Sequence, residues 1–133
     1  KQGEGSILNV ASSAGLFPAG PYMATYYATK SYVTSLTRAV ALELKEKKSN
    51  VYVGALCPGP VDTEFNKVAN VEFAIPSITP TYCAAYAIRK MEKRKIVIVP
   101  KNKMKVLAFI SRVLPQSLVI RMTARQQKKK RNW

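Results

Sequence analysis

Two short apolar segments separated by a long helical pattern constrain the fold of this chain most strongly. Residues 6–11 and 51–57 are apolar, and each is followed by turn-forming residues, as is typical of buried strands. The segment between them, residues 24–47, has apolar residues at three- and four-residue spacing: Val33, Leu36, Val40 and Leu44. Strand, helix and strand in this order predict a βαβ unit, and hence an α/β fold with a parallel sheet covered by helices.

The pattern of elements continues after the second strand. Residues 64–78 have a mixed composition that predicts a loop. Thr79 and Pro80 then supply an N-cap and a first helical residue for a helix that we expect to end near residue 93. Residues 96–99 predict a third strand, which Pro100 ends.

The positive charge of the chain is concentrated near its C-terminus. The net charge is +15 over 133 residues, yet residues 1–88 hold seven basic and six acidic residues, while residues 89–133 hold fifteen basic residues and one acid. Residues 103–114 and 117–128 predict two basic amphipathic helices separated by Pro115. We therefore divide the chain into a domain over residues 1–100 and a basic helical tail over residues 101–133.

Composition narrows the class of protein. The two cysteines, Cys57 and Cys83, form no motif with each other, and the chain has no histidine, so we expect no metal site. Both cysteines lie in apolar surroundings, as in a reduced, cytoplasmic protein. No apolar run approaches the length of a membrane span.

Hydroxyl and charged residues occur where the predicted elements begin or end. Ser12 and Ser13 follow the first strand, at the sheet edge where doubly wound folds bind ligands. Tyr26 and Lys30 are four residues apart and share one face of the predicted helix. An ammonium beside a phenol favours the phenolate, which suits proton transfer near neutral pH. Residues 58–63 (Pro-Gly-Pro-Val-Asp-Thr) form a rigid turn after the second strand.

In this order, the strand-end serine, Tyr26-x-x-x-Lys30 and the Pro58-Gly59 turn resemble the short-chain dehydrogenase/reductase superfamily. The segment Pro-Tyr-Met-Ala-Thr-Tyr-Tyr-Ala-Thr-Lys resembles the branch that holds 3-oxoacyl reductases and 17-beta-hydroxysteroid dehydrogenases. The resemblance covers residues 5–100. It implies a Rossmann-like, doubly wound parallel sheet, of which this chain is the C-terminal half only.

The resemblance also implies roles for individual residues. Tyr26 is the general acid/base, and Lys30 supports it and contacts the nicotinamide ribose. The nicotinamide site is lined by Tyr26, Lys30, Pro58, Gly59, Val61 and Thr63. The catalytic serine is Ser12 if positions are counted from the strand, whereas counting back from Tyr26 gives Ser13. Because a position on a strand is harder to shift than a loop length, we favour Ser12 and keep Ser13 as the alternative.

The family's glycine-rich phosphate loop does not occur in this sequence. We therefore expect a fragment that is inactive alone, and the choice between NAD and NADP stays open, with NADP favoured by the resemblance. The first hypothesis is an enzyme of the cytoplasm that transfers hydride between a nicotinamide and a ketone or secondary alcohol, including 3-oxoacyl or other lipid-like substrates. The second is an inactive fragment or degenerate scaffold that binds a membrane or a partner through its basic tail.

Partners follow from the same features. The resemblance implies a homo-oligomer that associates through the helix over residues 24–47. For the tail, a solvated terminus and a peripheral contact with an anionic membrane surface both stay open. Nucleic acid is disfavoured, because Trp133 is the only aromatic residue in the final basic cluster and no recognition motif accompanies it.

Overall fold

A computed structural model describes residues 3–68 and 75–130. Three strands form one parallel sheet in the order β1-β2-β3: β1 is Glu4–Val10, β2 is Asn50–Leu56 and β3 is Val97–Ile98. The helices are α1 (Ala24–Glu46), α2 (Glu64–Val68), α3 (Pro80–Glu92), α4 (Asn102–Val113) and α5 (Gln116–Lys130), and a short 3-10 helix spans Ser13–Leu16. The predicted α/β fold with parallel strands is confirmed.

Helices cover both faces of the sheet, because successive side chains of β2 point in opposite directions. Ala55 and Cys57 belong to a core cluster with Met104 of α4. Leu56, between them in sequence, packs instead with Cys83 and Ala87 of α3. This alternation places α4 on one side of the sheet and α3 on the other, as in a doubly wound fold.

Helix α1 is held on the sheet by threonine side chains. Thr34 and Thr37 are almost completely buried, and their hydroxyls donate to the carbonyls of Lys30 and Val33 at 2.9 and 2.7 Å. The amide of Asn9 on β1 donates to the Thr37 hydroxyl at 2.9 Å. Each buried hydroxyl is thereby satisfied, so a polar residue can occupy the interior face of a helix.

The sheet-facing positions of α1 are occupied by Thr34, Thr37 and Ala41, and Leu36 is 46% exposed. One sequence-based expectation needs correction. Residues 64–78, expected to be a loop, begin with helix α2. Residues 69–74 of that segment lie outside the described residues.

The predicted tail packs against the rest of the chain. Met104 of α4 belongs to the core, and Val119 and Thr123 of α5 are buried. Gln127 is 2% exposed, and its Nε2 donates to Tyr27 Oη at 2.8 Å. Within the described part of the chain, Gln127 Oε1 has no hydrogen-bond partner. The Gln127–Tyr27 pair thus joins α5 to the first turn of α1.

We predict an asymmetric effect of removing the two partners of this pair. Tyr27→Phe leaves both polar ends of a buried amide without a partner, which we expect to lower the free energy of unfolding by about 1–3 kcal/mol. Gln127→Met removes the unpartnered oxygen along with the hydrogen bond, so its cost should be smaller. Urea unfolding followed by circular dichroism measures both. A larger loss for Gln127→Met than for Tyr27→Phe would contradict this account.

Candidate active site

The parallel pairing of β1 with β2 brings two loop segments together at the carboxyl edge of the sheet. The hydrogen-bond ladder continues past the strands, since Ala11 N–H donates to the Leu56 carbonyl and Ser13 N–H donates to the Pro58 carbonyl, both at 2.8 Å. The serine segment and the Pro58–Gly59 turn are therefore fixed side by side. This is the edge at which open α/β sheets bind ligands.

A cavity of about 650 Å³ opens at this edge. With the exception of Lys30, every site residue predicted from the sequence lines it: Ser12, Ser13, Tyr26, Pro58, Gly59, Val61 and Thr63. Helices α4 and α5 also line the cavity; α4 contributes mainly apolar side chains, whereas α5 contributes both apolar and polar ones. The cavity thus joins polar groups from the first strand, the first helix and the turn after β2 to an apolar wall that α4 mainly forms.

Ser12 and Ser13 differ in their surroundings. Ser12 is buried, and its Oγ accepts a hydrogen bond of 3.1 Å from the Ala14 N–H as the N-cap of the 3-10 helix. Because that bond uses a lone pair, the hydroxyl hydrogen stays available for donation. Ser13 is the first residue of the 3-10 helix and is partly exposed. Both side chains lie at the cavity, so the two alternatives differ in anchoring and not in location.

Glycines allow the serine segment to approach α1. A Cβ atom on Gly15 would lie 2.5 Å from the Lys30 carbonyl oxygen and 2.6 Å from Thr34 Oγ1. A Cβ atom on Gly20 would lie 2.1 Å from the ring of Tyr27. A side chain on Gly15 would push against the backbone of α1, and one on Gly20 would displace the Tyr27 ring, so these glycines set how closely this segment approaches α1.

Tyr26 and Lys30 lie on the same side of α1. The Lys30 ammonium is 5.7 Å from the centroid of the Tyr26 ring, and its Nζ donates to the Val10 carbonyl at 3.4 Å. Lys30 therefore lies beside the tyrosine and at the end of β1, without lining the cavity itself. A positive charge is thus close to the phenol, as the four-residue spacing predicted.

The neighbouring Tyr27 is chemically distinct. Burial raises the pKa of the Tyr27 phenol above its ordinary value, and the hydrogen bond donated by Gln127 offsets only part of this effect. The ring packs edge-on against Tyr26, with centroids 6.4 Å apart. Tyr27 is therefore a neutral phenol at physiological pH and is suited to holding α5, whereas Tyr26 is the tyrosine with a lysine beside it.

The turn after β2 is anchored on three sides. Ile78 donates its N–H to the Pro60 carbonyl at 3.0 Å and accepts from the Asp62 N–H at 2.9 Å. Asn66 Nδ2 donates to the Val61 carbonyl at 2.7 Å. Met104 of α4 packs closely on Gly59, since a Cβ atom on Gly59 would lie 3.0 Å from Met104 Cε. Val61 and Thr63 are thereby held at the cavity.

Some cavity residues were not predicted as site residues. Tyr27, Met104 and Gln127 line the cavity, although the two helices of the tail were interpreted without reference to the site. The sequence did contain a signal, because Val119, Thr123 and Gln127 recur at four-residue spacing on one face of α5. A glutamine in such a series is a polar residue on a buried stripe, which calls for a partner.

Burial also determines the state of Cys57. Burial raises the pKa of the Cys57 thiol, and the hydrogen bond between Cys57 and Thr34 and the charge of Arg38 oppose that rise only in part. The Sγ atom lies 3.8 Å from Thr34 Oγ1 within the core. Cys57 is therefore a protonated thiol that packs between α1 and the sheet.

Comparisons with known proteins find related sequences over part or most of this chain. Residues 1–72 match the family described as short chain dehydrogenase. The D-beta-hydroxybutyrate dehydrogenase of Rhizobium meliloti is 46% identical over 63 residues, which are 47% of this chain and 23% of that protein. The very-long-chain 3-oxoacyl-CoA reductase of Anas platyrhynchos is 26% identical over 128 residues, which are 96% of this chain and 39% of that protein.

A solved structure shows the same fold. The short-chain dehydrogenase from Sphingobium yanoikuyae in complex with NADPH superimposes with a TM-score of 0.64 and 26% identity, covering 84% of this chain and 44% of that one. The chain therefore spans less than half the length of these relatives. With a family match over more than half of its residues and a shared fold, the chain belongs to the short-chain dehydrogenase family.

Proposed function

We propose that this chain is the catalytic part of an oxidoreductase that transfers hydride between a nicotinamide dinucleotide and a ketone or secondary alcohol. The observation that carries the proposal is the shared cavity, at which Ser12 and Tyr26 lie with the anchored turn of residues 58–63. A carbonyl oxygen in this cavity meets two hydroxyl groups of different acidity. That combination suits general acid catalysis together with stabilisation of a developing oxyanion.

The residues present fit a nicotinamide. Its carboxamide requires both hydrogen-bond donors and acceptors. The Thr63 hydroxyl and the peptide groups of the Gly59–Val61 turn, which line the cavity, would supply them. Lys30 lies beside Tyr26, where its ammonium would donate hydrogen bonds to the hydroxyls of the nicotinamide ribose. When bound, the nicotinamide supplies or accepts the hydride. We expect NADP to be preferred over NAD, a choice supported by the family resemblance.

In the direction of reduction, the chain's own residues handle the proton. The Ser12 hydroxyl, fixed as an N-cap, donates a hydrogen bond to the substrate oxygen and orients the carbonyl. Tyr26 Oη gives its proton to the same oxygen as the C–O double bond becomes single, and the product is an alcohol. The Lys30 ammonium stabilises the phenolate that remains, until a proton from solvent restores the phenol. In the reverse direction, the phenolate takes the proton.

The apolar wall of the cavity supports a lipid-like substrate. Leu107, Ile110 and Val119 lie opposite the hydroxyl groups, and burying an alkyl chain there removes apolar surface from water on both partners. Two of the relatives are named as hydroxybutyrate and 3-oxoacyl-CoA enzymes. We therefore propose a 3-oxoacyl compound or a related aliphatic ketone as the substrate class.

The outer face of α1 supports the proposal of a homo-oligomer. Tyr32 and Leu36 are 67% and 46% exposed and lie one turn apart on the side of the helix that faces away from the sheet. An exposed apolar pair on a long helix is the kind of surface that a second copy of the chain would cover. We propose that α1 forms the subunit interface.

The proton-transfer role predicts the effect of removing the phenol. In the enzyme that contains this chain, Tyr26→Phe should lower kcat for NADPH-dependent reduction of an aliphatic ketone by at least about 10²-fold. Tyr82→Phe removes the same hydroxyl from an exposed position of α3 and should leave kcat unchanged. Initial rates at saturating substrate measure the difference. Equal rates for the two variants would contradict the role of Tyr26, and a wild-type enzyme without turnover would favour the inactive scaffold.

The anchoring of Ser12 predicts which serine matters more. Ser12→Ala should lower kcat/KM by up to about 10³-fold, the value of one oxyanion donor. Ser13→Ala should cost less than a tenth of that loss. Because Ser12 also caps the 3-10 helix, its removal should cost about 1 kcal/mol of stability, which thermal unfolding measures separately. A larger kinetic loss for Ser13→Ala would assign the role to Ser13.

The interface proposal is tested by charge insertion. Leu36→Glu places a carboxylate on the proposed contact, and we expect the oligomer to dissociate, as measured by analytical ultracentrifugation. Ile88→Glu places the same charge on an exposed position of α3 and is the matched control. A wild-type enzyme that sediments as a monomer, or a Leu36→Glu variant that stays associated, would refute an interface through α1.

A further inference from the structure

Helix α4 exposes a continuous apolar stripe. Val106, Phe109, Ile110 and Val113 recur at three- and four-residue spacing, and Phe109 and Val113 are 68% and 69% exposed. The opposite face of α4 is the one that folding uses, since Met104 and Ser111 are its buried residues. The stripe therefore contributes apolar surface that the described part of the chain leaves uncovered.

Helix α5 extends this surface. Leu118 and Met122, one turn apart, are 44% and 54% exposed, whereas the buried positions of α5 are Val119, Thr123 and Gln127. The exposed apolar residues of the two helices form what we term the docking face: Val106, Phe109, Ile110, Val113, Leu118 and Met122. None of these side chains is among the buried residues by which α4 and α5 pack on the rest of the chain.

Basic residues lie among the side chains of the docking face. Residues 101–133 contain ten Lys and Arg and no Asp or Glu. Lys103 lies three residues before Val106, and exposed Arg121 and Arg125 lie three residues after Leu118 and Met122, so each is a neighbour of the apolar series on the helix surface. An apolar stripe interleaved with cations matches the interface of a bilayer that contains anionic headgroups.

The docking face is continuous with the mouth of the cavity. Ile110 and Met122 are both exposed, and both line the same cavity as Ser12 and Tyr26. Leu114, in the connection between the two helices, also lines it. A surface that covered the docking face would therefore cover the mouth as well.

We propose that the docking face binds an anionic lipid membrane and that the cavity opens towards the bilayer. Apolar side chains of the face enter the acyl boundary, while the surrounding cations contact lipid phosphates and carboxylates. Among the described residues, every helix is too short or too polar to cross a membrane, so the contact is with one leaflet. An aliphatic ketone dissolved in that leaflet reaches the cavity without passing through water; this part rests on the proposed function, whereas the membrane contact does not.

Vesicle flotation tests the docking face. The probes are vesicles of pure phosphatidylcholine and of phosphatidylcholine with one-third phosphatidylserine. We expect the wild-type chain to bind the anionic vesicles far more tightly than the neutral ones, and more weakly as salt is raised. Phe109→Ser/Val113→Ser keeps the charge and should weaken binding to the anionic vesicles at least about tenfold, since burial of two large apolar side chains is lost. Point variants are used because deleting α4 would remove Met104 from the core.

The matched control is Leu42→Ser/Ile88→Ser, which removes two aliphatic side chains of α1 and α3 that are 57% and 52% exposed. It should bind as the wild type does, and circular dichroism verifies the folding of both double variants. Equal vesicle binding by the two double variants would overturn the docking face, because charge alone would then hold the chain, as it would on any polyanion. Failure of the wild type to bind anionic vesicles would also overturn it. Neither result depends on ketone turnover, so it leaves the proposed oxidoreductase function untouched.

Discussion

The parallel pairing of β1 with β2 is the interaction on which the rest of this structure depends. Residues pair in register from Glu4 with Asn50 to Val10 with Leu56, and the ladder then runs on to Ser13 and Pro58. A shift by one residue would turn Ala55 and Cys57 from one face of the sheet to the other and exchange the two core clusters. It would also separate the serines from the turn after β2. The register therefore fixes the core and the cavity together.

The second constraint is the close contact of α1 with the segment that follows β1. Gly15 and Gly20 let backbone lie against Lys30 and against the ring of Tyr27, at distances that exclude any side chain. Asn9 and Thr37 join the same helix to β1. Tyr26 is thus placed by contacts on both sides of it in sequence, so its position at the cavity follows from the packing of α1.

Much of this could be predicted from the sequence, because the relevant signals are local. Apolar runs followed by turn-forming residues identified β1 and β2. The Thr79-Pro80 pair identified the start of α3, where the Tyr82 N–H donates to Thr79 Oγ1 at 3.2 Å. The position of strand ends predicted that Ser12 and the turn at Pro58 would meet. Each of these inferences needs only the spacing of apolar residues along the chain and the hydrogen-bonding capacity of a helix-capping side chain.

What could not be predicted depends on contacts between residues distant in sequence. Apolar spacing predicts the helix α1 but not that its sheet-facing side holds Thr34 and Thr37, whose hydroxyls are satisfied by Asn9 and by helix carbonyls. The bond between Gln127 and Tyr27 spans one hundred positions. Nothing local to α5 identifies Tyr27 of α1 as the partner of Gln127. The charge of the tail therefore gives no indication that α5 contributes to the cavity wall.

The central claim is that a substrate oxygen lies between Ser12 and Tyr26 in this cavity. A crystal structure of the enzyme that contains this chain, with nicotinamide cofactor and a bound aliphatic ketone or alcohol, tests it most directly. We expect the substrate oxygen within about 2.5–3.2 Å of both Ser12 Oγ and Tyr26 Oη, with the alkyl chain against α4 and α5. A substrate oxygen out of hydrogen-bonding reach of Tyr26, or an alkyl chain bound outside this cavity, would contradict it.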